Sequence, residues 1–497
     1  MSQPINRRAF LGQASCAAVG STSILSTLLN LRMASSAAAQ SMPAAPNTDD
    51  YRALVCLFFA GGQDSYNMLM PCGTEHAAYV TTRGGLHDDA ANPGGLALSQ
   101  SEILSLGNSG MLLGLHPSMT GLRDLYTQGK LAMVANVGTL NERITKTQYN
   151  SSGAKLPRGL YSHSDQQQQW HTSVSTETRG IGWAGLAADL LHSTSNDQRI
   201  SMNTSLSGNN VWQSGNTLFP YSVSSSGAVA LSDYNNSNAS NLGDTNRTST
   251  RTAAVNSLLG QQYQNLLEST FSSNMRDSID TGLFFSASVN SIVLTTLFPG
   301  DTGYTGTPAG YTLANDPARS LAAQLKMVVR SVAARAALGL RRQTFFVSYG
   351  GWDHHDEVID AQARMLDVVS RCLTCFYAAL EEVGSQNQVT LFTASDFGRT
   401  LTSNGNGSDH AWGGNHFVLG GAVNGGLVYG AYPDLTLTGP SIVTSRGVTL
   451  PALSVDEYFA DMALWLGVPP GSLSSVLPRI GNFYTPSGTR PVGFMKP

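Results

Sequence analysis

The sequence predicts an α/β protein with a mainly parallel sheet, and three observations carry that expectation. Nearly continuous apolar runs recur at residues 53–59, 131–137, 344–348 and 389–393, without the alternation of a half-solvated strand. Segments with helical periodicity separate most of them, as βαβ connections require. Glycine or polar loops follow the runs, and no internal repeat is present.

The N-terminus does not belong to that pattern. Arg7-Arg8 stands directly before Ala9-Phe10-Leu11, and a stretch of small and apolar residues follows to about Leu31. It is too weakly apolar for a stable membrane span. Ala37-Ala38-Ala39 offers small side chains for cleavage, so residues 1–39 read as a twin-arginine signal peptide and 40–52 as a leader. The chain is therefore expected to engage the twin-arginine translocase and to work in the periplasm or outside the cell. Cys16 is discarded with the signal, since Gln13 stands where a lipobox needs an apolar residue.

Roughly 450 residues remain, enough for a large core, and residues 53–497 are read as one α/β region. Charged residues make up only 12% of the chain, against about a quarter in ordinary globular domains. Serine, threonine, asparagine, glutamine and 51 glycines take their place, which fits long loops. The balance of 29 basic to 33 acidic residues argues against nucleic acid or an anionic membrane as main partner.

In order along the chain, the run 53–59 is a strand buried on both faces, closed by Ala60-Gly61-Gly62 and followed by Asp64. Residues 116–128 read as a helix leading to the strand at 131–137. The glutamine-rich stretch 166–170 begins a helix that Ser162 or Ser164 can cap. Residues 204–251 are dominated by Ser, Asn, Thr and Gly and read as a long loop or irregular insertion. Helical periodicity returns at 253–285 and 318–338. Strands at 344–348 and 389–393 flank a helix over 361–383, in which Cys372 and Cys375 are packing residues and not a redox pair at a helix start. Segments 416–419 and 427–429 and a helix over 455–466 complete the chain.

Chemistry-bearing residues gather just after the strands, where ligands of parallel sheets bind. Asp64 follows the first. Asp353, His354, His355 and Asp356 follow the strand at 344–348; Asp396 and Arg399 follow the next, and Asp409, His410 and His416 come soon after. Any one of these loops reads equally well as a turn. Four of them in register outline a metal site, with donors suited to zinc or manganese, or in a carboxylate-heavy version to magnesium or calcium.

The motifs Phe59-Ala-Gly-Gly-Gln-Asp-Ser-Tyr-Asn67, Leu115-His-Pro117, Ser162-His163, Gly350-Gly-Trp-Asp-His-His355, Ser395-Asp-Phe-Gly-Arg-Thr400, Asp409-His-Ala-Trp-Gly-Gly-Asn-His416 and Gly420-Gly-Ala-Val423 resemble the DUF1501 family. The resemblance covers nearly the whole chain after the leader. It implies twin-arginine export and an alkaline phosphatase-like sandwich, with helices on both faces of the sheet. Carried over residue by residue, it implies that Asp64, Asp353, His355, Asp396 and His410 bind divalent metal. Ser162 would be the nucleophile, with Ser164 its rival. Phe397 departs from the pattern, because a histidine ligand directly follows the equivalent carboxylate in alkaline phosphatases. Either Asp409 or His416 fills that place, or the site holds one metal. Arg399 is either a donor to a phosphate or sulfate oxygen or a partner of Asp396. The implied function is a metallohydrolase acting on a small anionic ester; the competing one is a non-catalytic periplasmic binding or assembly protein.

Overall fold

A computed structural model describes residues 50–151, 153–229, 231, 234, 245–486 and 489–496. The twin-arginine motif, Cys16 and the cleavage region lie outside the described residues, as does part of the 204–251 insertion. In chain order the main sheet is built from β1 (Arg52–Ala60), β2 (Leu131–Gly138), β3 (Asn203–Ser205), β4 (Tyr221–Ser224), β5 (Gly227–Ala228), β6 (Arg342–Gly350), β7 (Val389–Ser395), β8 (Gly414–Leu419), β9 (Val428–Gly430) and β10 (Leu453–Ser454). The principal helices are α1 (Thr120–Thr127), α2 (His163–Thr172), α3 (Trp183–Ser195), α4 (Thr245–Leu259), α5 (Leu266–Asn290), α6 (Arg319–Ala333), α7 (Val358–Glu382) and α8 (Val455–Leu466).

The strand order is β9-β2-β8-β7-β1-β6-β3-β4-β5, with β10 also paired to β2. β1 runs parallel to both β6 and β7, and only β8 and the β4–β5 hairpin introduce antiparallel pairs. The predicted class, a mixed α/β fold with a large, mostly parallel sheet, is therefore what the chain adopts. β1 shows why its sequence reads as unbroken apolar. Ala53, Val55, Leu57 and Phe59 enter one core with residues of α1, α6 and α7, while Leu54, Cys56 and Phe58 enter a second with α2, α3 and α8. Both faces are covered, so neither set of alternating side chains meets water. Among the described residues no helix is long and apolar enough to cross a membrane.

The insertion is more ordered than its composition suggests. Residues 204–251 include part of β3, all of β4 and β5, and the start of α4. β3 pairs in parallel with β6, although its sequence is Asn203-Thr204-Ser205. These side chains are buried, and Asn203 donates to the Gln213 carbonyl and accepts from Thr344 Oγ1, at 2.8 Å in each case. A strand whose side chains are polar and yet buried gives no hydropathy signal. The helical stretch expected over 253–285 is two helices, α4 and α5, broken between Leu259 and Leu266.

α8 has the boundaries its periodicity predicts. Ser454 and Glu457 form a reciprocal capping box at its start, and Gly467 ends it at φ 118°. Inside its first turn Asp456 is fully buried and accepts a 2.7 Å hydrogen bond from Ser173 Oγ. Burial pushes its carboxyl up to about 7, against the pull of the Ser173 hydrogen bond and the Arg479 charge. A carboxyl raised in the folded state stabilises the fold while protonated, and that contribution is lost as the pH rises from about 4 through about 7. The loss is on the order of 4 kcal/mol. Asp456→Asn, which keeps the acceptor for Ser173, is expected to flatten the fall in Tm between pH 5 and pH 8. Thermal unfolding of both proteins across that range checks this, and parallel curves would count against it.

Candidate functional site

The loops that follow β1, β6 and β7 meet at one sheet edge because the strands are parallel neighbours. Gly61 makes the contact close: at φ +123° it lies where an added Cβ would stand 2.6 Å from the Asp353 amide. Trp352 anchors the loop after β6, fully buried against Phe59 with ring centroids 4.7 Å apart. Asp353 is thereby presented at the edge with its side chain partly exposed.

Asp353 is the hub of the cluster. Its Oδ1 lies 2.8 Å from Arg399 Nη1, 3.1 Å from His355 Nε2 and 3.3 Å from His410 Nε2. Its Oδ2 lies 3.5 Å from His163 Nε2. Burial alone would raise this carboxyl, but the Arg399 hydrogen bond and charge, with His355 and His163, hold it below the usual carboxylate range.

Each imidazole has its other nitrogen committed to an acceptor. His163 Nδ1 donates to Asp396 Oδ2 at 2.6 Å, His410 Nδ1 donates to the Tyr161 carbonyl at 2.9 Å, and His355 Nδ1 faces Asp409 Oδ1 at 3.3 Å. With the protons on Nδ1, three Nε2 lone pairs point into the cluster. His355 Nε2 and His410 Nε2 are 2.9 Å apart. Two lone pairs at that distance repel each other unless a cation, proton or metal, is shared between them. One atom each from His163, Asp353 and His410 also falls within 4.8 Å of the others, as ligands of one ion do. Desolvation lowers the pKa of His410, favouring the neutral ring that a metal requires.

The supports behind these side chains are buried or strained. Asp396 is fully buried; it also accepts from Gln167 Nε2 at 3.0 Å and from the Gly61 amide at 3.2 Å. Desolvation raises its pKa despite the His163, Gly61 and Gln167 hydrogen bonds. Tyr161, whose carbonyl fixes His410, has φ 74°, and Glu357, just past the His355 loop, has φ 49°. Residues other than glycine rarely hold such angles, and each costs of order 1–3 kcal/mol, which the surrounding packing must offset.

Of the residues expected as ligands, Asp353, His355 and His410 come together. Asp396 and Asp409 stand one layer out, as acceptors for His163 and His355; Asp409 is also paired with Arg446. Asp64 is not brought to the cluster: its Oδ2 is buried against Arg83 Nη2 at 2.6 Å and Ser408 Oγ at 2.9 Å. His416 points from β8 into the core, its ring 4.7 Å from Trp170, where burial takes its pKa down to about 3. Arg399 pairs with Asp353 and not Asp396; its remaining donors go to the carbonyls of Gly61, Gly62 and Ser408. It has no face left for a ligand oxyanion. Ser162 is the residue before α2 but makes no side-chain cap; its Oγ meets Ser164 Oγ at 3.2 Å.

His163 is the member that sequence reasoning passed over, although it sits between the two serines weighed as nucleophiles. Its sequence signals are its place at the start of the helix and its membership of the Ser162-His163 motif. Phe397 packs against the cluster, its ring 4.8 Å from His163 and 4.5 Å from His410. Among the described residues, the group whose ligand atoms all lie within reach of one ion is His163, Asp353 and His410, with His355 beside it against His410 and Asp353.

The family described as "Protein of unknown function (DUF1501)" matches residues 51–444. No curated protein matches the chain. Among solved structures, similarity is found to "Crystal structure of Ps i-CgsB" at 10% identity and TM-score 0.32, covering 84% of this chain and 72% of that one. The same identity and coverage apply to "Crystal structure of Ps i-CgsB in complex with k-i-k-neocarrahexaose", at TM-score 0.30.

Proposed function

The chain belongs to the DUF1501 family, and we propose that it is an exported metallohydrolase that cleaves a phosphate or sulfate ester on an alkaline phosphatase-like sandwich. The observation that carries the reading is the convergence of His163, His355 and His410 Nε2 on Asp353, with every Nδ1 committed elsewhere. Two imidazole nitrogens and a carboxylate within reach of one ion, with His355 beside them, favour zinc over magnesium or calcium, which prefer all-oxygen sites. A divalent cation held there would polarise the ester and stabilise charge on its oxygens.

The chain's own residues orient and hold. Asp396, Asp409 and the Tyr161 carbonyl fix the imidazole tautomers, and Arg399 fixes Asp353. Ser162, adjacent to His163, is the proposed nucleophile. Among the described residues its side-chain partner is Ser164, which is no base, so a neighbouring cation is what would lower its pKa. The Arg7-Arg8 leader supports export in folded form, with the metal selected before transport.

One experiment addresses both parts. The full chain is expressed, the cells are fractionated, and the protein recovered outside the cytoplasm is assayed for metal. Nitrophenyl phosphate, bis-nitrophenyl phosphate and nitrophenyl sulfate are then offered before and after chelation. About one zinc per chain and chelator-sensitive turnover are expected. Protein retained in the cytoplasm would end the export claim. Metal bound without turnover would favour the binding-protein reading, and zinc-free protein after zinc dialysis would end the metal claim.

A further inference from the structure

Beside the cluster, along α2, lies a cleft of about 400 Å³. Phe58 and Phe346 form its floor, His171 a wall, and Gln167, Gln168 and Ser348 part of its rim. It adjoins the cluster directly, because the Gln167 amide that reaches Asp396 Oδ2 is on the same side chain that borders the cleft.

The lining selects a kind of ligand. It contains no lysine, arginine, aspartate or glutamate. His171, its one titratable group with a shifted pKa, is held down to about 4 by burial and is neutral at pH 7. A charged group here would have no counter-charge. Hydrogen-bonding capacity, in contrast, is left open. Gln167 and Gln168 spend their amide nitrogens on Asp396 Oδ2 and the Arg179 carbonyl, leaving each Oε1 without a bond from the described residues. Ser348 Oγ makes no bond among the described residues, although its backbone amide donates to Ser207 Oγ at 2.8 Å. His171 Nε2 is buried without a partner. An alkyl chain would leave these groups unsatisfied. A hydroxyl both donates and accepts, and the C–H face of a saturated ring can lie on the aromatic floor, where the His171 ring stands 4.9 Å from Phe58 and 5.6 Å from Phe346.

We infer that this cleft is a subsite for a neutral, polyhydroxylated ring, a sugar unit that carries the ester to the cluster. The inference rests on the metallohydrolase reading and adds the substrate class to it. Arg399, fully engaged within the protein, offers nothing to an anion, so recognition falls to the uncharged part of the molecule.

The test is calorimetric titration of the zinc-loaded full chain with neutral methyl glycosides and trisaccharides of glucose, galactose, mannose and N-acetylglucosamine. At least one should bind saturably, and Gln168→Ala and Ser348→Ala should each weaken it about fivefold, the usual effect of one lost hydrogen bond. Zinc content, unchanged in both variants, shows that they fold. His410→Ala should lose zinc and keep sugar binding. The inference is overturned if no neutral sugar binds, if only anionic sugars bind, or if neither cleft variant weakens binding while zinc is retained. Sugar binding by a chain that takes up no zinc would support the cleft and defeat the metal reading alone.

Discussion

His410→Ala is expected to lower zinc affinity at least about a hundredfold, more than the roughly 10–100-fold that loss of a supporting partner usually costs. The substitution removes Nε2, which stands 2.9 Å from His355 Nε2 and 3.3 Å from Asp353 Oδ1, and so deletes a donor from the set of His163, Asp353 and His410. His163→Ala should behave the same way. Asp396→Asn is milder: His163 keeps its nitrogen but loses the carboxylate that fixes its tautomer, so affinity should fall within the supporting-partner range. Ser162→Ala should leave zinc in place, because among the described residues its hydroxyl bonds to Ser164 and to none of the cluster. Competition against a chromogenic zinc chelator separates these classes. Unchanged affinity in both histidine variants would show that the imidazoles share a proton and nothing more.

What the sequence revealed and what it withheld follow from how each residue earns its environment. β1, β2 and β7 were legible because sheets covered on both faces need apolar residues at every position. β3 was not, since Asn203 and Thr344 satisfy each other inside the fold and leave a polar string that reads as loop. Asp353, His355 and His410 were legible because glycine-rich loops after parallel strands return to one edge. Which side chains face the cluster directly and which stand behind them was not legible. Asp396 and Asp409 have the residue type and loop position of ligands, and only the orientation of His163 and His355 puts them one bond further out. His416 lies on a strand, where alternation decides between cluster and core, and the Trp170 ring takes it into the core. Asp64 depended on a partner 19 residues away that no spacing rule announces.

Arg83→Ala is expected to destabilise the fold by about 3–5 kcal/mol, the range for breaking one side of a buried ion pair. Both side chains are fully buried, with Arg83 Nη2 2.6 Å from Asp64 Oδ2, so truncation leaves a carboxylate inside with only Ser408 Oγ against it. Arg83 Nη1 also donates to the Thr400 and Leu401 carbonyls at 3.2 Å each, tying the loop after β1 to the loop that leads to His410. Asp64→Asn should lose stability for the same reason, and each folded molecule should still bind zinc with unchanged affinity. The double replacement Asp64→Leu with Arg83→Met removes both charges and should cost less than Arg83→Ala alone, since desolvation of the pair offsets much of its attraction. Urea unfolding supplies the stabilities and zinc titration the affinities. If Asp64→Asn weakened zinc as strongly as His410→Ala at unaltered stability, Asp64 would be a ligand after all and its pairing with Arg83 incidental.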